Sequence, residues 1–163
     1  MALILIAACA GARQTIGDHG KLPWHFSTDL KFFKATTKGQ TILMGRKTFD
    51  AIMAQFGRPL PDRRHLIVSR DPAWRAAVGE VFPDIDSALL AAPPQDDLYV
   101  VGGAQIYEQT LPRAHKILLT RIEKEYPGDA CFPTLAPENW HLADERQETE
   151  NGTLLRFCTY VRT

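Results

Sequence analysis

An α/β fold built on a mainly parallel sheet is the architecture this sequence predicts, and three observations carry the prediction. Short apolar runs alternate with helix-patterned segments along most of the chain. Runs such as Ile42-Leu43-Met44 and Leu98-Tyr99-Val100-Val101 are apolar without alternation, which suits strands covered on both faces. Glycine follows two of these runs just where a helix pattern begins, at Gly45 and at Gly102-Gly103.

The elements follow in order. Leu3 to Ala10 reads as a buried strand. Within it, Ile6-Ala7-Ala8-Cys9 resembles a bacterial lipoprotein cleavage box, but no Lys or Arg precedes the apolar run and only eight residues precede the cysteine, so a strand is the better reading. Ser27 to Thr37 reads as a helix that Ser27 or Thr28 can cap, with Leu30 and Phe33 on one face and Lys31 and Lys34 nearer the other. Gln40 to Met44 is a strand, and about Lys47 to Met53 a helix. His65 to Ser69, Val81 to Phe82 and Leu98 to Val101 are further strands; Asp86 to Ala91 and Gln105 to Leu111 are helices. Ile117 to Ile122 and Thr153 to Val161 have no clear helix between them, which predicts an antiparallel edge. Pro59-Leu60-Pro61 and Pro93-Pro94 are loops too short to divide the chain, so one domain over 1–163 is expected.

Composition narrows the function classes. Lys plus Arg and Asp plus Glu each count 19 in 163 residues. The formal charge is zero, which gives no broad attraction to nucleic acid or an anionic membrane and points to a small-molecule partner. Cys9, Cys131 and Cys158 are odd in number and lack a CxxC pair, so neither a disulfide framework nor a metal site is expected, and a reducing cytoplasm is the expected compartment. No apolar run reaches membrane-spanning length.

The chemistry concentrates in Pro23-Trp24-His25-Phe26-Ser27-Thr28-Asp29-Leu30-Lys31-Phe32-Phe33, one carboxylate among four aromatic rings near a helix start. Two readings of Asp29 stand on these residues alone. It is a solvent-facing residue favoured by the helix dipole, or a pocket anion on the flank it shares with Phe33, where desolvation is costly and a partner is needed. Three clusters suit phosphate: Gly102-Gly103 before Ala104-Gln105-Ile106-Tyr107, Gly45-Arg46-Lys47-Thr48 after a strand, and Ser69-Arg70. The Rossmann Gly-x-Gly-x-x-Gly fingerprint is absent.

Together these landmarks make the chain resemble dihydrofolate reductase. The matching residues are Ile16-Gly17, Leu22-Pro23-Trp24, Asp29-Leu30 with Phe33, Met44-Gly45-Arg46-Lys47-Thr48-Phe49, Gly57-Arg58-Pro59-Leu60-Pro61, Val101-Gly102-Gly103, Ile106-Tyr107 and Gly128-Asp129. The resemblance implies a central eight-stranded sheet with an antiparallel C-terminal edge and four flanking helices. It also implies NADPH-dependent reduction of 7,8-dihydrofolate to tetrahydrofolate by a monomer. Alternatives on the same residues are a same-fold reductase of another pteridine or pyrimidine, of the riboflavin-synthesis type, and a folate- or nucleotide-binding module without turnover.

The resemblance also implies roles. Asp29 matches the pocket carboxylate that pairs with the pterin, Thr120 the threonine that supports it, and Trp24 the residue that helps hold a water; Leu22 stands on the mobile loop. Ala8, Leu30, Phe33, Ile52 and Val101 match the substrate walls, Arg63 the arginine that binds the folate glutamate, and Arg58 lies in the same segment. For cofactor, Ala8, Ile16, Gly17 and Leu22 match the nicotinamide side, while Gly45, Arg46, Lys47 and Thr48 match phosphate contacts. Ser69 and Arg70 lie where the adenosine 2′-phosphate is read, and Gly102, Gly103, Ala104, Gln105, Ile106 and Tyr107 complete that side, the glycine pair being joined by a cis peptide in the family. Two departures stand out. Met53-Ala54-Gln55-Phe56 lengthen the loop that shapes the aminobenzoyl mouth, and Ala104 and Gln105 replace a glycine and a basic residue.

Overall fold

The computed structural model describes residues 2–76 and 78–163. The apolar run Leu3–Ala10 forms strand β1, whose unbroken hydrophobicity is explained by its place inside the sheet. After it come β2 (Thr15–Gly17), α1 (Ser27–Thr37), β3 (Thr41–Gly45), α2 (Arg46–Phe56), β4 (Arg64–Val68) and β5 (Glu80–Phe82). Helix α3 (Ile85–Ala91), β6 (Leu98–Gly102), α4 (Ala104–Thr110) with a 3₁₀ turn at Leu111–Arg113, β7 (Lys116–Ile122), β8 (Ala130–Cys131), β9 (Trp140–Glu150) and β10 (Thr153–Arg162) complete the chain.

The strand order is β5-β4-β3-β6-β1-β7-β10-β9, an eight-strand path. Every pairing from β5 to β7 is parallel, while β7–β10 and β10–β9 are antiparallel. The expected mainly parallel sheet with an antiparallel C-terminal edge is therefore present. Two short strands extend the count from eight to ten: β2 pairs with β1 and β8 off the main path. Leu5, Ile42, Leu43, Met44, Leu66, Ile67, Leu98 and Val100 are fully buried along the centre, where both faces are covered.

Three sequence expectations need correction. Neither Ser27 nor Thr28 caps α1 with its own side chain: the N-cap is Phe26, which makes no side-chain cap bond. Met53-Ala54-Gln55-Phe56 are not a loop but an added turn of α2, which ends at Gly57 in the left-handed region (φ 71°) with the Gly57 N–H donating to the Met53 carbonyl at 2.8 Å. The C-terminal edge also contains β9, a strand whose side chains are mostly exposed.

One irregularity opens the sheet. The β1–β6 pairing runs from Leu3↔Leu98 to Leu5↔Val100 and stops, whereas β1–β7 continues to Ala10↔Ile122. On the other side of β6, the β3–β6 register shifts between Leu43 and Met44. The strands therefore part beyond Leu5 and Val100, at their carboxyl ends, where ligands of open α/β sheets bind. Ile6 lies just past the parting, and its carbonyl accepts from the buried Tyr107 hydroxyl at 2.7 Å.

Candidate active site

Helix α1 brings Asp29 to Thr120 of β7, which pairs with the part of β1 beyond this opening. Its first turn is held from across the molecule by Glu150, at the end of β9. The Ser27 and Thr28 amides donate to the Glu150 carboxylate at 2.9 and 2.8 Å, and the Thr28 hydroxyl donates at 2.6 Å. A carboxylate at a helix N-terminus satisfies orphan donors and complements the dipole. These bonds hold the Glu150 carboxyl down at about 2.

Asp29 itself is partly buried, and burial raises its carboxyl above the ordinary Asp value. The Thr120 hydroxyl opposes this by hydrogen bonding, and the Glu150 anion adds to the rise. Thr120 is buried on β7 directly beside Ala8 of β1, so the two strands present both residues to the same side. Trp24, also buried, packs with Ala8, Ala10 and Phe26, its ring 5.4 Å from Tyr126. The structure thus brings Asp29, Thr120, Ala8 and Trp24 together.

A second wall stands towards α2. Phe33, Ile52 and Val101 pack in one cluster with Leu60, Phe49 and Met53, and Leu30 is half-buried on α1. Leu60, buried midway along the α2–β4 segment, joins this wall although in the sequence it stands only as part of a proline loop. Beyond it the Arg63 guanidinium is aimed rather than free: it donates to the Thr37 hydroxyl at 2.9 Å, to the Lys34 carbonyl at 2.8 Å and to the Pro61 carbonyl. Arg58 is exposed.

The phosphate-suited glycine junctions also converge. Helices α2 and α4 begin at Gly45 and Gly103, neither with a side-chain cap, so their first amides are left for a ligand or water. Gly102 and Gly103 are joined by a cis peptide, as the resemblance implied. Gly102 has φ +132°, and a Cβ there would stand 3.2 Å from the Thr48 hydroxyl; one on Gly45 would stand 3.2 Å from Ile106. Side chains would be crowded where these backbones meet, and at Gly102 strained by its φ as well.

The remaining cofactor candidates are less gathered. Arg46 stacks over Trp74 at 4.9 Å and lies 3.6 Å from both Asp50 and Asp71, so its charge already has company. Lys47, Arg70 and Gln105 are exposed, and the buried Ser69 hydroxyl accepts from the Asp71 amide at 3.2 Å. Ile16 and Gly17 lie on β2, and Ala104, Ile106 and Tyr107 on α4. Leu22 is 55% exposed at the end of a turn in which the Asp18 and Lys21 backbones exchange hydrogen bonds. That loop is tied down at its turn, where the His19 amide donates to Asp129 at 3.1 Å.

The cleft is distinct from a cavity of about 540 Å³ behind β1 and β7, lined by Cys9, Gln14, Arg121 and Arg156 among others. There Arg156 is paired with Glu123 and Glu145, and Arg121 donates to Tyr160 and Gln14. Burial pushes the Cys9 thiol up to about 11, which leaves it a poor nucleophile at neutral pH.

Glu150 and His65 were not found from sequence. Glu150 meets α1 across 122 residues of chain, and no local motif signals that contact.

Comparison with known proteins gives one consistent picture. The dihydrofolate reductase family model matches residues 2–162. A type 3 dihydrofolate reductase of Salmonella typhimurium is 41% identical over 99% of both chains, and the dihydrofolate reductase of Neisseria meningitidis is 36% identical over 98% of both. The structure of a dihydrofolate reductase from Enterococcus faecalis complexed with NADP(H) and RAB-propyl superposes with a TM-score of 0.90 at 28% identity, covering 99% of this chain and 96% of that one. A match of this extent, over a cleft of this construction, places the chain in the dihydrofolate reductase family.

Proposed function

We propose that this chain reduces 7,8-dihydrofolate to 5,6,7,8-tetrahydrofolate, with Asp29 as the group that anchors the pterin and governs its protonation. The observation that carries this reading is a carboxylate at the parting of β1 and β6 whose pKa is raised by burial while Thr120 holds it by hydrogen bonding. NADPH, when bound, supplies the hydride to carbon 6. The uncapped starts of α2 and α4, with Thr48 and the Gly102-Gly103 backbone between them, suit its phosphates; Ser69 and Arg70 suit the adenosine 2′-phosphate.

The protein's own task is then the proton. An Asp29 carboxylate accepts from the 2-amino group and nitrogen 3 of the pterin, which favours protonation at nitrogen 5 through water beside Trp24. A raised pKa keeps the carboxyl closer to the pH at which it can both hold and release a proton. Phe33, Ile52, Leu60 and Val101 enclose the rings, and Arg63, pre-aimed by Thr37 and Lys34, meets the substrate's tail carboxylate.

The test is NADPH oxidation with dihydrofolate, followed spectrophotometrically for the wild-type chain and Asp29→Asn. Turnover by the wild type and a loss of roughly 10²-fold or more in the variant at neutral pH is expected, the scale of positioned acid–base catalysis. No wild-type turnover would overturn the reaction, and an undiminished variant would overturn the role of Asp29. We also infer a cytoplasmic monomer folded as one domain. The three cysteines are free, and no helix of the described residues is long and apolar enough to cross a membrane. A sedimentation mass near twice 18.3 kDa would refute the monomer.

A further inference from the structure

Arg63 is held by a residue that lies outside the cleft. His65, on β4, is 3% exposed and uses both ring nitrogens on the turn that precedes it. Its Nε2 accepts from the Leu60 amide at 3.3 Å, and its Nδ1 stands 3.1 Å from the Arg63 carbonyl. A backbone amide can only donate and a carbonyl can only accept, so these partners require the neutral ring with its proton on Nδ1. The ring stands edge-on to Phe49 at 6.3 Å, and Gly79 lies close behind the residue, where an added Cβ would come within 3.3 Å of the His65 Cβ.

The turn so held is short and carries two functional ends. Leu60 is part of the apolar wall, and Arg63 carries the cation; between them Asp62 adopts a positive φ of 60° and its carbonyl accepts from Gly39 at 2.9 Å. The Arg63 side chain then reaches back to Thr37 and Lys34 on α1. Backbone placement at residue 63 thus decides where the guanidinium can point, and His65 fixes that backbone at both ends of the turn.

From this geometry we propose that His65 is a positioning residue for the substrate's tail carboxylate, acting through the Leu60–Arg63 turn. The inference rests on the reading of Arg63 as the carboxylate-binding group. It predicts that His65 matters more to dihydrofolate than to a pterin without the glutamate tail.

The experiment measures kcat and KM with dihydrofolate and with 6-methyl-7,8-dihydropterin for Arg63→Ala, His65→Leu, His65→Asn and His65→Gln. Arg63→Ala tests the underlying reading: it must raise KM for dihydrofolate and spare the tailless pterin. His65→Leu removes both ring contacts and is expected to raise KM for dihydrofolate roughly tenfold, the scale of weakening one hydrogen bond to a charged group, with kcat unchanged and a smaller rise for the tailless substrate, which meets the Leu60 wall but not Arg63. Asn can still donate near the Nδ1 position and Gln can still accept near Nε2, so each should recover part of the loss. These two carry the test if the Leu variant does not fold. If Arg63→Ala does not distinguish the substrates, the reading of Arg63 falls and the inference with it. If Arg63→Ala distinguishes them while the His65 variants change both KM values alike, or neither, the inference alone is overturned.

Discussion

Tyr107→Phe removes one oxygen atom and is a sharp test of how the cleft is held open. The Tyr107 hydroxyl donates to the Ile6 carbonyl at 2.7 Å where β1 has lost its β6 neighbour. Its ring packs against Phe132 with centroids 5.0 Å apart, a contact that Phe would retain. The substitution therefore isolates the hydrogen bond. A buried acceptor left without a partner costs about 1–3 kcal/mol, more than the net worth of an average hydrogen bond, because its desolvation is no longer compensated. Taking about 2 kcal/mol, the melting temperature of a chain this size should fall by roughly 4–8 °C. In urea, with an m-value of about 2 kcal/mol/M, the midpoint should fall by ~1 M without a change in m. Tyr160→Phe is the control, since its hydroxyl accepts from the half-exposed Arg121; a loss within about 0.5 kcal/mol is expected there. A Tyr107→Phe protein with wild-type stability would refute the reasoning, by showing that the Ile6 carbonyl is solvated without Tyr107.

Asp29→Asn should make the ligand-free protein more stable at neutral pH while impairing turnover. Burial raises the folded-state pKa of Asp29, so its favourable contribution is present below the unfolded value of 3.8 and is lost as pH rises through the folded pKa. The advantage of the Asn variant in urea unfolding should therefore shrink on acidification, and an advantage independent of pH would contradict the assignment. Glu150 has the opposite sign. Its pKa falls from 4.5 to about 2 on folding, so its stabilisation is present above 4.5 and is lost as pH falls towards 2. Glu150→Ala should speed hydrogen exchange of the Ser27 and Thr28 amides at neutral pH, and unchanged exchange would show that the cap is not made in solution. Arg70→Ala should raise KM for NADPH by about tenfold and leave KM for NADH unchanged, as expected for loss of one charge-assisted phosphate contact. Equal changes for both cofactors would remove Arg70 from 2′-phosphate recognition.

The parts of the fold legible in the sequence were those whose pattern is set locally. β1 and α1 were read with their observed boundaries because one is apolar throughout and the other begins at a polar pair and keeps Leu30 and Phe33 in phase. β9 was missed because His141-Leu142-Ala143-Asp144-Glu145-Arg146-Gln147-Glu148 lies largely in solvent, where an edge strand needs no apolar alternation. β2 and β8 span three and two residues, too few to show a period. The end of α2 was readable: Ala54, Gln55 and Phe56 tolerate a helix and Gly57 supplies the stop, but a loop was expected there from the shorter form of the family. In the site, the apolar walls and glycine junctions carried local signals, whereas Glu150, Leu60 and His65 depend on contacts that no sequence spacing announces.

Asp29 shows most clearly what structure adds to sequence. From sequence, two opposing influences acted on its carboxyl: burial against the apolar side raises the pKa, and the start of a helix lowers it. The structure decides between them by giving the helix terminus to another carboxylate. Glu150 takes the Ser27 and Thr28 amides, the donors through which the dipole stabilises an anion, and its own pKa falls accordingly. Asp29, on the same first turn, receives neither amide and faces the Glu150 charge as a repulsion. Only Thr120 offsets the desolvation, and a single hydroxyl is weaker than two backbone amides and two hydroxyls together. One helix start thus produces two carboxyls displaced in opposite directions. The one that holds the helix is kept ionised, and the one that faces the cleft is left closer to protonation.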